Sequence, residues 1–529
     1  MAKRFSLSLL LWTAGLAQRC EITINMKCNQ DFYYEFKPIR NKLKSFRKDQ
    51  IMIVCFQNLA KTYNLNVVEI FKNKLPLPWH TMLIFKWGVV YGANKIDGKS
   101  FTQNDFIDIY NTIKELLTNA RLFKSNDPVN IWRLIRANFA GQYPYQLNNG
   151  FYGLAVTEII LKDIGIDYDV DNVLNTLIGI NLEEFINFQC IITSMYVSNN
   201  AYFKYSLDFF KNFSNKHDLN KLDQFLHFIS LDFYGVETFL TDHHISLDNP
   251  EFEFNLLSPL SKKPLYRFGG NFVAYNKTLL NSFCEYGLYD ILKSNDSAKF
   301  SSAFGLGFET YLTYSLNTLN LNYFREKNIR KEFNVGSSVD FLFKEENNVL
   351  LIEAKSSEMS ELTPLNPEKK YLEQTFQNSL IKGYKQIFFT AFELKKQNPI
   401  SFRNANFWGL IVTYKDFMFG APEAIWLEFM KDKMHETLPN EIFSNLPLDP
   451  LKIFVVSIYE FDTLCLYTKK KGIALFDSLA IPFENNNKRE TKNFSFALHF
   501  PINEIKLKDF EQTKNKLDTI MGRIEKYLK

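Results

Sequence analysis

Apolar residues recur at close to helical spacing over Phe46–Asn64 and Phe106–Phe123, which predicts two amphipathic helices. Thr102 and Asp105 stand where an N-terminal cap for the second belongs. The same spacing covers 151–164, 170–178, 182–197, 203–213 and 219–229. A short hairpin is expected around Gly269-Gly270 within Tyr266–Tyr275, and a helix from Leu279 to Leu292. No internal repeat emerges. Residues 27 to about 290 therefore read as mainly α-helical.

The pattern changes after this. A helix is expected over Ser301–Leu316, with Leu306, Tyr311, Leu312 and Leu316 on one side and Glu309 among them. Two strand-like runs follow, Val339–Phe343 and Val349–Ile352, the second aliphatic throughout and so expected to be buried on both faces. The polar residues between them predict an antiparallel hairpin with Glu345–Asn348 as its loop. A polar loop, Ser356–Glu368, leads to one long helix over Lys369–Leu394. Strands are expected at Phe407–Tyr414 and Ile453–Ile458, then a helix near Glu460–Lys469, an exposed loop at Asn485–Asn493 and a closing helix over Ile505–Leu528. The fold class expected is α/β (α+β): a mixed β-sheet flanked by helices, plus the large helical N-terminal region. The expected division is 1–295 for recognition or regulation, 296–430 for the core and 431–529 for an extension packed on it.

The hairpin brings the candidate chemistry together. If Lys344 pairs with Val349, counting back along both strands sets Asp340 opposite Glu353, on one face of the sheet. Lys355 lies two residues beyond Glu353 and points the same way. Two adjacent acids repel, and burial raises the cost. A divalent cation removes both problems, and hard oxygen ligands suit Mg²⁺ or Mn²⁺. The amine of Lys355 can then face a phosphate or a metal-activated water. A surface hairpin with a cross-strand acid–lysine pair is the plainer alternative.

Asp340, Glu353-Ala354-Lys355 and the preceding Glu-bearing helix together resemble the PD-(D/E)XK, or restriction-endonuclease-like, nuclease superfamily over roughly residues 298–417. Val339 stands where the motif's name has Pro. The resemblance implies metal-dependent hydrolysis of DNA phosphodiester bonds, with RNA not excluded. It implies that Asp340, Glu353 and the Ala354 carbonyl hold Mg²⁺ or Mn²⁺. It implies that Glu309 reaches the metal through water and that Lys355 orients the attacking water. Such nucleases often place a Gln or Lys on the helix after the hairpin, near the scissile phosphate. Gln377 falls inside the apolar arc of Lys369–Leu394 and is the candidate, with Lys385 a weaker one and Lys382 opposite the arc. A core Gln bonded to backbone is the alternative for Gln377. By family analogy, large helical additions occur in restriction and antiviral defence nucleases.

Composition narrows the setting. The chain has 529 residues with 46% hydrophobic and 23% charged content, which excludes a disordered protein. A net charge of +4 is too mild to announce nucleic-acid binding, so any basic surface must be local. Two local runs exist, Lys37–Lys48 and Arg325–Lys331, and the second sits close to the proposed site. Six scattered cysteines indicate neither a zinc site nor a disulfide framework, which fits a reducing cytoplasm. Met1–Ala17 has the outline of a signal peptide, with a buried segment or a true start at Met26 as alternatives; a nuclease acting on intracellular DNA favours the cytoplasm. No other apolar run reaches membrane-spanning length, so no membrane partner is expected.

Two further function classes stay open. One is an inactive nucleic-acid or protein-interaction module on a nuclease-like fold. The other is an ATP-driven enzyme using Gly98-Lys99-Ser100, although the expected helix opens too late for a phosphate loop. A protein partner or self-association is left open as well.

Overall fold

A computed structural model describes residues 29–528, apart from 95–97, 120–135, 137–139, 147–148, 165–167, 199–203, 212–218, 244–249, 360–362, 364–368, 420, 489, 494 and 503. The signal-like segment and Met26 lie outside the described residues, as does most of the expected polar loop after the hairpin. Among the described residues the fold is a mixed α and β one with two sheets.

The N-terminal region is more than helical. Strands β1 (Lys204–Ser206), β2 (Ser230–Leu231), β3 (Leu265–Phe268) and β4 (Asn271–Ala274) form a small sheet in the order β1-β4-β3-β2. The helix expected over 203–213 is instead β1 followed by a short helix, Leu207–Lys211. Tyr205 lies buried there against Tyr196, and pairing of β1 with β4 overrides the local helical spacing. The expected hairpin at Gly269-Gly270 is present as β3 and β4. Thr102 and Asp105 do cap the next helix, Gln103–Asn119, through reciprocal hydrogen bonds.

The second sheet is built from β5 (Tyr323–Arg325), β6 (Phe341–Glu345), β7 (Asn348–Lys355), β8 (Asn406–Thr413) and β9 (Ile453–Ser457), in that spatial order. Strands β5, β6 and β7 are antiparallel neighbours, and β8 and β9 run parallel to β7. Strand β5 follows too few apolar residues to show a period, and sequence spacing misses it. The hairpin register is the expected one, with Lys344 opposite Val349. Its loop is tighter than expected, because Glu345 and Asn348 also pair and Glu346 takes a left-handed backbone at φ 51°.

Alternation along the strands divides the core in two. Phe341, Phe343, Leu350, Ile352, Trp408, Leu410 and Val412 pack on one side of the sheet. Leu342, Val349, Leu351, Phe407 and Ile411 pack on the other. The first side is covered by helices α1 (Gly150–Lys162), α2 (Lys277–Asn295), α3 (Ser297–Asn317) and α4 (Ile458–Lys471), so one hydrophobic cluster runs across residue 295. The second side is covered by α5 (Lys382–Gln397) and the segments after β8. A third cluster joins Phe36–Leu116 to Val236–Leu279. Four cysteines, Cys55, Cys190, Cys284 and Cys465, are buried thiols. No helix among the described residues is long and apolar enough to cross a membrane.

Helix α3 lies backbone to backbone on α1. A Cβ added at Gly307 would stand 2.4 Å from the Ile160 carbonyl oxygen, whereas one at Gly305 would meet only Ser356 Oγ at 3.4 Å. Gly307→Ala is therefore expected to destabilise the protein by about 1–3 kcal/mol in urea unfolding, from overpacking. Gly305→Ala should be neutral or slightly stabilising, by up to about 1 kcal/mol, because alanine favours helix. Equal effects at both positions would contradict this packing.

Candidate active site

The carboxyl end of β7 carries Glu353 and Lys355 on the face that looks toward α5. Asp340 lies one residue before β6, and the ladder places it across from Glu353. Its side chain does not simply repel the neighbour. Oδ2 accepts a hydrogen bond from the Ala354 backbone N–H at 2.7 Å, and the Asp340 carbonyl accepts from Glu326 N–H at 2.9 Å. The turn into β6 is fixed from both ends of Asp340, and the acid is locked against the strand that bears its partner.

Glu353 is almost wholly enclosed, with its side chain 2% exposed. One carboxylate oxygen pairs with the Lys355 ammonium. The other, Oε2, is buried with no hydrogen-bond partner. Burial, reinforced by the neighbouring Asp340 charge, pushes the Glu353 carboxyl up to about 8, against the opposing pull of Lys355. Asp340 is also raised by burial, with the Ala354 N–H working against the shift.

Glu309 comes from the opposite side of the sheet, on α3, and is half-buried. Burial and then the Asp340 charge raise it to about 7, and Arg325 and Lys355 pull it down. Three acids and Lys355 thus share one field. Of the apolar residues expected beside Glu309, Tyr311, Leu312 and Leu316 are buried, but Leu306 is 57% exposed. Leu306 lies one turn before Glu309, on the open flank of α3.

The helix after the hairpin is not one continuous α-helix. An α-helical segment, Lys369–Phe376, passes into a π-helical turn, Gln377–Ile381, before α5 begins. The wider turn shifts the phase of every residue beyond it. Gln377 is exposed, so the expectation that it faces inward is corrected. Gln386 takes the inner place. Its Oε1 accepts from Lys355 Nζ at 3.2 Å, and its Nε2 reaches the Ser338 carbonyl at 3.5 Å. Thr390, one turn on, accepts from the Val339 N–H at 3.2 Å. Lys382, one turn before Gln386, is exposed yet adds positive potential at both Asp340 and Glu353. Lys382, Gln386 and Thr390 form a stripe at i, i+4 and i+8. A π-turn leaves no mark in hydrophobic spacing, so the sequence carries no signal for Gln386.

The basic runs divide in the same way. In the first, Lys42 pairs with Asp108, Arg47 with Asp49 and Lys48 with Glu237. These three charges are paired within the protein. In the second, Arg330 pairs with Glu326 at 2.5 Å, and Arg325 lies over the Phe341 ring. The segment around Lys99 forms an isolated bridge to Phe46, and the next helix opens only at Gln103. The described residues there lack a strand running into a helix at Lys99, which a phosphate loop needs.

No protein-family model matches the chain, and no curated protein is significantly similar to it.

The side chains here have needs that a divalent cation would meet. Among the described residues no three His, Cys, Asp or Glu side chains gather into a ready-made cage. Asp340 and Glu353 supply two carboxylates, which is what Mg²⁺ takes when water and a substrate phosphate complete its shell. The unpartnered Glu353 Oε2 is the atom a cation would satisfy, so the residues fit.

The shifts predict how stability depends on pH. The folded Glu353 carboxyl holds its proton up to about 8, against an ordinary value of 4.5. Its contribution is fully present below about 4.5 and is lost as pH rises through about 8. In EDTA, the melting temperature should fall across that window. Glu353→Gln should flatten the decline, and an unchanged slope in that variant would contradict the assignment.

Proposed function

We propose that the protein is a metal-dependent nuclease that hydrolyses phosphodiester bonds in DNA, on a PD-(D/E)XK-like core. The observation that carries this reading is the unpartnered oxygen of Glu353, buried beside Asp340 and Lys355 at the end of a central strand. The order helix, strand, short helix, antiparallel hairpin, helix, parallel strand, running from α3 to β8, contains the helix followed by strand, strand, helix and strand expected from the sequence and supports the reading further.

In this reading Asp340, Glu353 and the Ala354 carbonyl hold Mg²⁺ or Mn²⁺. The ion, when bound, supplies Lewis-acid polarisation of the phosphate and lowers the pKa of a water. Lys355 faces the reacting phosphate and stabilises the charge that builds on its oxygens. Gln386 holds the Lys355 side chain in place through its amide oxygen. Glu309, poised near neutrality, holds the attacking water or moves its proton. Lys382 meets the substrate backbone from the α5 side. The helical region supplies recognition or regulation, and a role in restriction or antiviral defence is part of the proposal.

Asp340→Ala, Glu353→Ala and Lys355→Ala should each lower Mn²⁺-dependent cleavage of plasmid DNA by at least about 100-fold while leaving a folded protein. Full wild-type activity in EDTA would overturn the proposal. A folded chain that neither cleaves any nucleic acid nor shifts its melting temperature with Mn²⁺ would favour an inactive interaction module.

The two glutamines give a sharper comparison. Gln386→Ala should reduce the cleavage rate by about tenfold or more through a misplaced Lys355. Gln377→Ala should leave it within about twofold, since that side chain points to solvent. The reverse order of effects in single-turnover assays would reject the placement of α5.

A further inference from the structure

We propose that Asp462 is a positioning residue, which sets the helix carrying Glu309 against the sheet. The inference rests on the nuclease reading and deepens it.

Asp462 lies on α4, and its side chain is fully buried. Three hydroxyls donate to it. Tyr152 on α1 and Tyr311 on α3 each reach Oδ2 at 2.6 Å, and Ser315 on α3 reaches Oδ1 at 2.7 Å. One carboxylate therefore joins a helix of the N-terminal region, the helix that carries Glu309 and a helix after the sheet. All three donors are themselves buried. Stability alone does not call for such a group, because well-packed apolar side chains often serve as well as a buried charge. What a hydrogen-bonded carboxylate adds is direction, since each bond fixes a length and an angle.

The directions bear on Glu309. Gly307, Tyr311 and Ser315 stand at i, i+4 and i+8 on α3, so they form one seam along the helix. Gly307 sets that seam against the Ile160 carbonyl, and Tyr311 and Ser315 set it on Asp462. Glu309 is two residues from both Gly307 and Tyr311, on the far side of the helix from the seam. Three successive turns are pinned on one face, and the acid that senses Asp340 projects from the other. A small rotation of α3 about its axis would carry Glu309 away from Asp340, and about 1 Å of misplacement is enough to cost a reaction heavily.

The test uses the full chain and five proteins: wild type, Asp462→Asn, Glu309→Gln, the double variant of these two, and Tyr311→Phe as a milder probe of the same bond. Asp462→Asn should lower kcat for Mn²⁺-dependent DNA cleavage by about tenfold or more with KM unchanged. It should have little further effect in the Glu309→Gln background, since the two act through one side chain. Equal losses in both backgrounds would overturn the proposal. Hydrogen exchange keeps the two readings separate. Amides over 305–313 should exchange faster in Asp462→Asn and in Tyr311→Phe than in wild type, while those of β7 should not change. Unchanged exchange over 305–313 would overturn the clamp even in an active enzyme. Faster exchange there in the two variants, together with a wild type that fails to cleave, would uphold the clamp and overturn the nuclease reading.

Discussion

The structure turns on one placement: an acid, Glu353, near the end of a strand in which the four residues before it, Val349–Ile352, are all apolar and buried. Burying a carboxylate is costly unless a partner meets it. Lys355 meets one oxygen and leaves the other bare. Asp340 is held beside it by the Ala354 N–H rather than being allowed to swing away. The surrounding elements keep the acids together, and the potential they create is the reason to expect a cation.

The sheet brings the site's residues together from two layers. Its two faces are separately packed, with α1 to α4 on one and α5 on the other. The side chains of the site sit where β7 runs out, with Glu353 enclosed between the layers and Lys355 at their margin. This is where open sheets with parallel strands present ligands. Glu309 arrives from one layer, and Lys382 and Gln386 arrive from the other. Moving either layer would change the site without touching Asp340 or Glu353.

Much of this was legible in the chain. The β6–β7 register follows from the two apolar runs and the polar residues between them, because a period of two leaves little freedom once one face is buried. The helices 170–178 and 182–197 were readable from spacing alone, and the structure has them at Val170–Ile178 and Leu182–Ser198. What spacing could not deliver depends on distant contacts. Strand β1 forms because β4 is there to pair with it. Gln386 replaces Gln377 because a π-turn intervenes, and that turn has no signature in hydrophobic order. The Asp462 cluster joins residues more than a hundred positions apart, which no local pattern can announce.

The account is tested most directly by anomalous scattering from crystals soaked in Mn²⁺. It predicts one strong peak between the carboxylates of Asp340 and Glu353, within reach of the Ala354 carbonyl, and no such peak in Glu353→Gln. A wild-type site that stays empty at saturating Mn²⁺, or a peak that persists in the variant, would contradict it.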